Sequence, residues 1–325
     1  MKAILSQNRM KASGASRRLS KTQLSLDQQT RLSWATSLKK YEEVPEEFRT
    51  FFEPLENTGQ PFPFTVITPS YEGFLHHYQE RLVCIIDQKL FILNKTKGTQ
   101  GQLCFNFKDI NSLEFKKVLL DSSLIIGGID QDGKPNRVDL HFNTVTEGLF
   151  WEIMRRIRQS FFTDIVYDEK PIFHELREES FKFASYSRNC LIPGEKVVKL
   201  LWQPELKANR VNIKLPQVLF DFFSRIIFPS HVVLLTDQEL IIISEDENEN
   251  RREKYGAIWQ FVPLEKIRQM TINFQEDGLL VLDTCLEDES IIRTLFQDSE
   301  KEKLEQTLNK ISSLQHVRFQ ANHSF

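Results

Sequence analysis

Histidine, cysteine and acidic side chains catalyse reactions and hold metals most readily, and this chain carries few of them in useful company. His76 and His77 are adjacent. In a strand such neighbours project to opposite faces, so both cannot readily serve one ion, and they read as part of a loop or strand start. His174-Glu175 with Glu178 and Glu179 has the spacing that shares one helix face. Glu178 stands where H-E-x-x-H needs its second histidine, so a charged connector helix is expected instead. Cys84, Cys104, Cys190 and Cys285 form no CxxC pair and have no histidine at zinc-ligand spacing, which makes them reduced, mostly buried thiols. Gly127-Gly128 lies outside any phosphate-cradling frame and is expected, with Gly133, in turns that need positive φ. There is no G-x-S-x-G elbow. The residue types therefore assign no catalytic group, no metal ligand and no cofactor.

Binding is better served than catalysis. Pro216 to Phe228 has Val218, Leu219, Phe222 and Ile226 on one helical side, with Phe220, Phe223 and Ile227 widening the apolar face. Asp221 and Arg225 would pair on its exposed strip. Two expectations stand together: a core helix wedged between the two halves of the chain, or an interaction surface carried by Phe220, Phe223 and Ile227. At this length it cannot cross a bilayer. Arg155, Arg156 and Arg158, beside Lys116 and Lys117, would make a basic strip of solvated charge, in which Arg155 and Arg156 are candidate anion contacts.

The elements that must position these residues repeat. Val83-Cys-Ile-Ile-Asp-Gln-Lys-Leu-Phe-Ile-Leu93 and Val233-Leu-Leu-Thr-Asp-Gln-Glu-Leu-Ile-Ile-Ile243 run in step, each with two β-rich stretches joined at an Asp-Gln turn. A polar loop, an aromatic strand (103–107; 257–262) and another strand (110–115; 267–272) follow in both halves. Further strands hold Leu124–Ile126 and Leu279–Val281, and then alternation returns at Val138, Leu140, Phe142 and at Ile292, Thr294, Phe296. Each half closes with a helix whose start has the pattern of a capping box, Thr144 with Glu147 and Ser299 with Glu302. Leu149, Ile153 and Ile157, and later Leu304, Leu308 and Ile311, would lie on the sheets.

With Phe64–Thr68 and Lys196–Gln203 as first strands, each half offers about seven strands and one terminal helix. The order resembles a pleckstrin-homology-like domain, of the kind found in tandem in bacteria, over residues 60–162 and 190–315. Pro193-Gly194-Glu195 with Val197-Val198, and the hairpin at Asp237, carry most of the likeness. The resemblance implies an α+β protein of two units, each an antiparallel β-sandwich or partly open barrel closed by a C-terminal amphipathic helix. Phosphoinositide-binding members crowd Lys and Arg into the loop after the first strand. The candidate loop here offers Lys95 and Lys97, and its counterpart mixes Glu245, Asp246, Glu247 and Glu249 with Arg251, Arg252 and Lys254, so a solvated loop is the plainer expectation. Two separate superimposable bodies are required; unrelated halves, or one continuous sheet through both, would bring down the likeness and every role inferred from it.

Composition bounds the rest. The chain has 325 residues, 40% hydrophobic and 27% charged, with 26 phenylalanines, enough for two cores. A net charge of −3 gives no footprint for nucleic acid. No apolar run can span a membrane and the N-terminal apolar stretch is too short for a signal peptide, so a cytoplasmic location is expected. The expected organisation is a basic, serine-rich tail (1–26), a helical extension (27–59), a first unit (60–165), a connector (166–189), a second unit (190–316) holding the 216–228 helix, and a tail (317–325). The function expected is non-enzymatic binding or scaffolding, with a protein or a membrane surface as partner. The alternatives are an enzyme with its site between the units, using His76, His77, Glu175 or a cysteine, and a peripheral membrane protein held by the tail and the apolar helix.

Overall fold

The computed structural model describes residues 34–72, 77–94, 101–161, 172–209, 224–246, 256–275 and 278–322. It is an α+β fold of antiparallel sheets, none of which closes into a barrel among the described residues. Strand β1 (Thr36–Leu38) is followed by helix α1 (Arg49–Asn57), β2 (Phe64–Thr68) and a short pair, β3 (Tyr71–Glu72) with β4 (His77–Tyr78). Then come β5 (Arg81–Ile86), β6 (Lys89–Asn94), β7 (Gly101–Asn106), β8 (Ile110–Val118), β9 (Asp121–Ile129), β10 (Pro135–Asn143) and helix α2 (Glu147–Gln159). Helices α3 (Ile172–Glu179) and α4 (Phe181–Asn189) lead into the second half. It comprises β11 (Val197–Gln203), β12 (Leu206–Asn209), β13 (Ser224–Phe228), β14 (His231–Thr236), β15 (Glu239–Ser244), β16 (Ala257–Pro263), β17 (Ile267–Phe274), β18 (Leu279–Leu286), β19 (Ile291–Gln297) and α5 (Lys301–Asn322).

Local chemistry explains the hairpins. Asp87 and Gln88 both take positive φ, 47° and 59°, giving β5–β6 the mirror-image turn whose twist suits paired strands. Asp237 and Gln238 do not; there the Thr236 hydroxyl accepts from the amides of Gln238 (3.1 Å) and Glu239 (2.9 Å), and the Asp237 carboxylate accepts from Lys196 N at 2.9 Å. Both turns present a glutamine carbonyl to the next segment: Gln88 O accepts from Phe107 N and Gln238 O from Leu264 N. Immediately after, β8 and β17 each slip register near their first residues, Ile110/Ser112 and Ile267/Gln269.

The sheets do not stay within the halves. Five strands run β1-β2-β5-β6-β7, three run β17-β18-β19, and seven run β10-β9-β8-β16-β15-β14-β11. In the last, β8 of the first half pairs with β16 of the second, from Ala257↔Lys117 to Phe261↔Leu113. This corrects the expectation of two separate bodies: their edges fuse. Strands β14 and β15 consequently read as unbroken apolar runs, because both faces are covered. Val232, Leu234, Ile241 and Ile243 face one cluster with Val83, Phe115, Leu124 and Phe150, whereas Val233, Leu235, Leu240 and Ile242 face another with Leu282, Phe296, Leu304 and Ile311. Helix α4 covers the first of these faces, setting Phe183 4.7 Å from Trp202 and Tyr186 5.0 Å from Trp259 between ring centroids.

Other expectations are corrected as well. The proposed helix 216–228 ends in a strand: Ser224–Phe228 forms β13, paired with β12 from Leu206↔Phe228 to Asn209↔Ser224. Its Ile226-Ile227-Phe228 run is β-branched and aromatic, and a ladder partner outweighs the helical spacing. Phe220 and Phe223 lie outside the described residues. The helical extension is redrawn in part: Thr36–Leu38 pairs with β2, single 3-10 turns follow at Tyr41–Glu43 and Glu46–Phe48, and the α-helix runs from Arg49. Phe48 and Phe52 from this extension close over Leu82, Cys84 and Leu93. Neither capping box forms. The Thr144 hydroxyl meets that of Ser122 (2.8 Å) and Glu147 pairs with Lys117, while Asn143 accepts from Val145 N; Glu302 accepts from Gln306. Gly127 and Gly128 sit within β9 rather than in a turn. A Cβ at Gly128 would lie 2.5 Å from Asp109 O and 2.8 Å from Ile110 Cα, so the bulged start of β8 demands the glycine. Gly133 does occupy a turn, at φ 76°.

Candidate functional site

The residues singled out for chemistry are dispersed. His174 approaches only Glu178, at 3.6 Å, and both are exposed. Among the described residues no three His, Cys, Asp or Glu side chains gather around a metal-sized space. His76 lies outside the described residues, and His77 is on β4. Burial pushes the Cys84 thiol up to about 12 and also raises Cys104 and Cys190, so these sulfurs stay protonated. Lys95 and Lys97 lie outside the described residues. Arg155 and Arg156 both grip Glu152 at 2.7 Å. The Arg155 hydrogen bond, with help from Arg156, holds the Glu152 carboxyl down to about 2.

Arg158 departs most from expectation, because it is buried instead of solvated. From α2 it donates through Nε to Glu239 Oε1 (2.8 Å), through Nη1 to the Cys190 carbonyl (2.8 Å) and through Nη2 to Glu195 Oε2 (3.3 Å), with its guanidinium over the Phe261 ring. Glu195 also accepts from Ile192 N at 3.0 Å. Burial and then repulsion from Glu239 raise the Glu195 carboxyl to about 8, against the pull of Arg158. One cation thus ties α2, the Pro193-Gly194-Glu195 segment and β15 together. Sequence spacing could not reveal this, since Arg158's partners Cys190, Glu195 and Glu239 lie 32, 37 and 81 positions away in the chain.

A second feature lies at the surface of the second half. β12 and β13 form an arm whose base packs Leu206 and Phe228 on Val281, Leu279 and Leu295. Ile226 and Ile227 on β13 remain 47% and 36% exposed. Beside the arm, an open cleft of about 250 Å³ is floored by Phe228, Ile242 and Ile258 and rimmed by Glu114, Lys116, Asp246, Gln260 and Arg293. The rim is internally neutralised: Lys116 pairs with Asp246 at 2.8 Å, Glu114 accepts from Gln260 and Arg137 at 3.2 Å each, and Arg293 pairs with Asp283 at 2.8 Å. No protein-family model and no curated protein matches this chain. The site must therefore be read from its own chemistry. A mixed-sign rim over an apolar floor offers little to a phosphate and suits an apolar side chain presented by a peptide. The cleft straddles the β8–β16 join, so both halves of the chain contribute to it.

Proposed function

We propose that this chain is a non-enzymatic binding protein of two pleckstrin-homology-like units fused edge to edge, engaging a protein or membrane-associated partner through the β12–β13 arm and the adjoining cleft. Four features support the tandem reading. Each half has four strands, then three, then a helix; each has the same glutamine carbonyl latch; each has the same register slip; and each carries a strand pair between its first and second long strands. The fusion at β8–β16 argues against two independent bodies, yet it joins only edges and leaves both element successions intact.

The observation that carries the function is the apolar exposure of Ile226 and Ile227 beside a cleft with an apolar floor. The arm and the cleft floor present aliphatic and aromatic side chains, Ile226, Ile227, Phe228, Ile242 and Ile258, which favours a partner with apolar anchors. The test is affinity capture with the full chain, wild type against Ile226→Asp and Ile258→Glu, in variants that melt like the wild type. Loss of the same partner from both variants is expected; partners retained by both would remove this surface from consideration.

A further inference from the structure

Every open sheet must manage its edges, because unpaired amides and carbonyls recruit other strands. Most edges of the three larger sheets in this molecule are protected. β10 carries Pro135, Arg137 and Asp139; β11 carries Lys199 and a register slip; β19 carries Arg293; β1 has three residues; and on β7 the Cys104 carbonyl already accepts from Gln131 N at 2.9 Å. β17 is protected at its start, where the Ile267 carbonyl accepts from Gln315 Nε2 of α5 at 2.9 Å, but not beyond it among the described residues. Beyond its slip at Ile267/Gln269 it ends Met270-Thr271-Ile272-Asn273-Phe274, without charge, proline or further irregularity. Its inner side pairs with β18, and among the described residues no strand pairs with its outer side.

The corresponding strand of the first half shows what such an edge does. β8 follows the same latch and the same slip, and its Leu113–Lys117 stretch is zipped to β16. Leu113 and Phe115 are thereby fully buried, whereas Met270 and Ile272 are only half-buried and Phe274 is 56% exposed. The half-buried Leu308 and Leu314 of α5 join Met270 and Ile272 at the margin of the same core.

We infer that β17 is a dimerisation edge, pairing antiparallel with β17 of a second copy about a two-fold axis at Ile272. The five-residue stretch is self-complementary in that register. Met270 meets Phe274, Ile272 meets Ile272, and Thr271 meets Asn273, so apolar pairs fall on one face and polar pairs on the other. Such a pairing closes on itself, as two-fold contacts do. Pairing with β7 of another copy would be open-ended and would displace the Gln131 bond to Cys104. Like charges placed on the axis face each other, so Ile272→Lys and Ile272→Asp should each halve the mass of the full chain measured by sedimentation velocity, and an equimolar mixture should restore the doubled mass. Thr271→Lys with Asn273→Lys, which sets like charges opposite one another on the polar face, gives the same reading if substitution at Ile272 harms folding, with thermal melting as the control. A wild-type chain that sediments as a monomer, or a dimer that all these variants leave intact, overturns the proposal.

Discussion

Glu195, held by Arg158, makes the junction between the halves sensitive to protons. A glutamate ordinarily titrates near 4.5, and Glu195 is raised to about 8, so the folded chain keeps a proton that the unfolded chain has released. Stability from this group is present below pH 4.5 and is lost as pH rises through about 8. His231 acts in the opposite sense. Burial between Phe228 and Phe296 lowers it from 6.5 to about 4, against the Pro229 carbonyl that accepts from Nδ1, so acid destabilises the fold across that interval. The two trends overlap, and the difference between variants separates them. Glu195→Gln, which keeps size and hydrogen-bonding ability, should melt progressively closer to or above the wild type as pH rises from 5 to 8. A wild-type minus variant difference in Tm that stays constant over that range would show that Glu195 carries no such proton.

Strands and turns set the next scale, and here a single hydrogen atom matters. Gly128→Ala would drive a Cβ into backbone at Asp109 and Ile110, which cannot rotate away, whereas Gly127→Ala meets first the Ser112 hydroxyl, which can. Overpacking of this kind costs about 1–3 kcal/mol, so the urea midpoint should fall clearly for Gly128→Ala and much less for Gly127→Ala. Equal midpoints would contradict the close approach of β8 to β9. Much of this layer was legible in the amino-acid sequence, because alternation and Asp-Gln turns are local signals: β2, β5, β6, β8, β10 and β14 to β19 all fall where apolar spacing puts them. What was illegible depended on partners. Ser224–Phe228 has helical spacing, and only the presence of β12 makes it a strand. Thr144 and Glu147 have capping-box spacing, yet Ser122 and Lys117 claim them first. Arg158 looked like solvated charge because nothing nearby in the chain announces Glu195 or Glu239.

At the scale of the whole molecule the shared sheet decides behaviour. One apolar cluster takes Phe115 and Leu124 from the first half with Trp259 and Phe261 from the second, and α4 lies over it. Neither half can unfold while its neighbour keeps this cluster dry. Calorimetry and denaturant unfolding should therefore give one transition, with calorimetric and van't Hoff enthalpies in agreement. Two resolved transitions would mean that the β8–β16 seam parts before either core melts. The arm stands apart from this cooperativity. Asn209 and Ser224 face each other across it, and the ladder slips once, between Leu206 and Lys207. A tight two-residue turn could join Asn209 to Ser224, and foreign sequences could be grafted there in its stead, making the hairpin a chassis for exchangeable sequence.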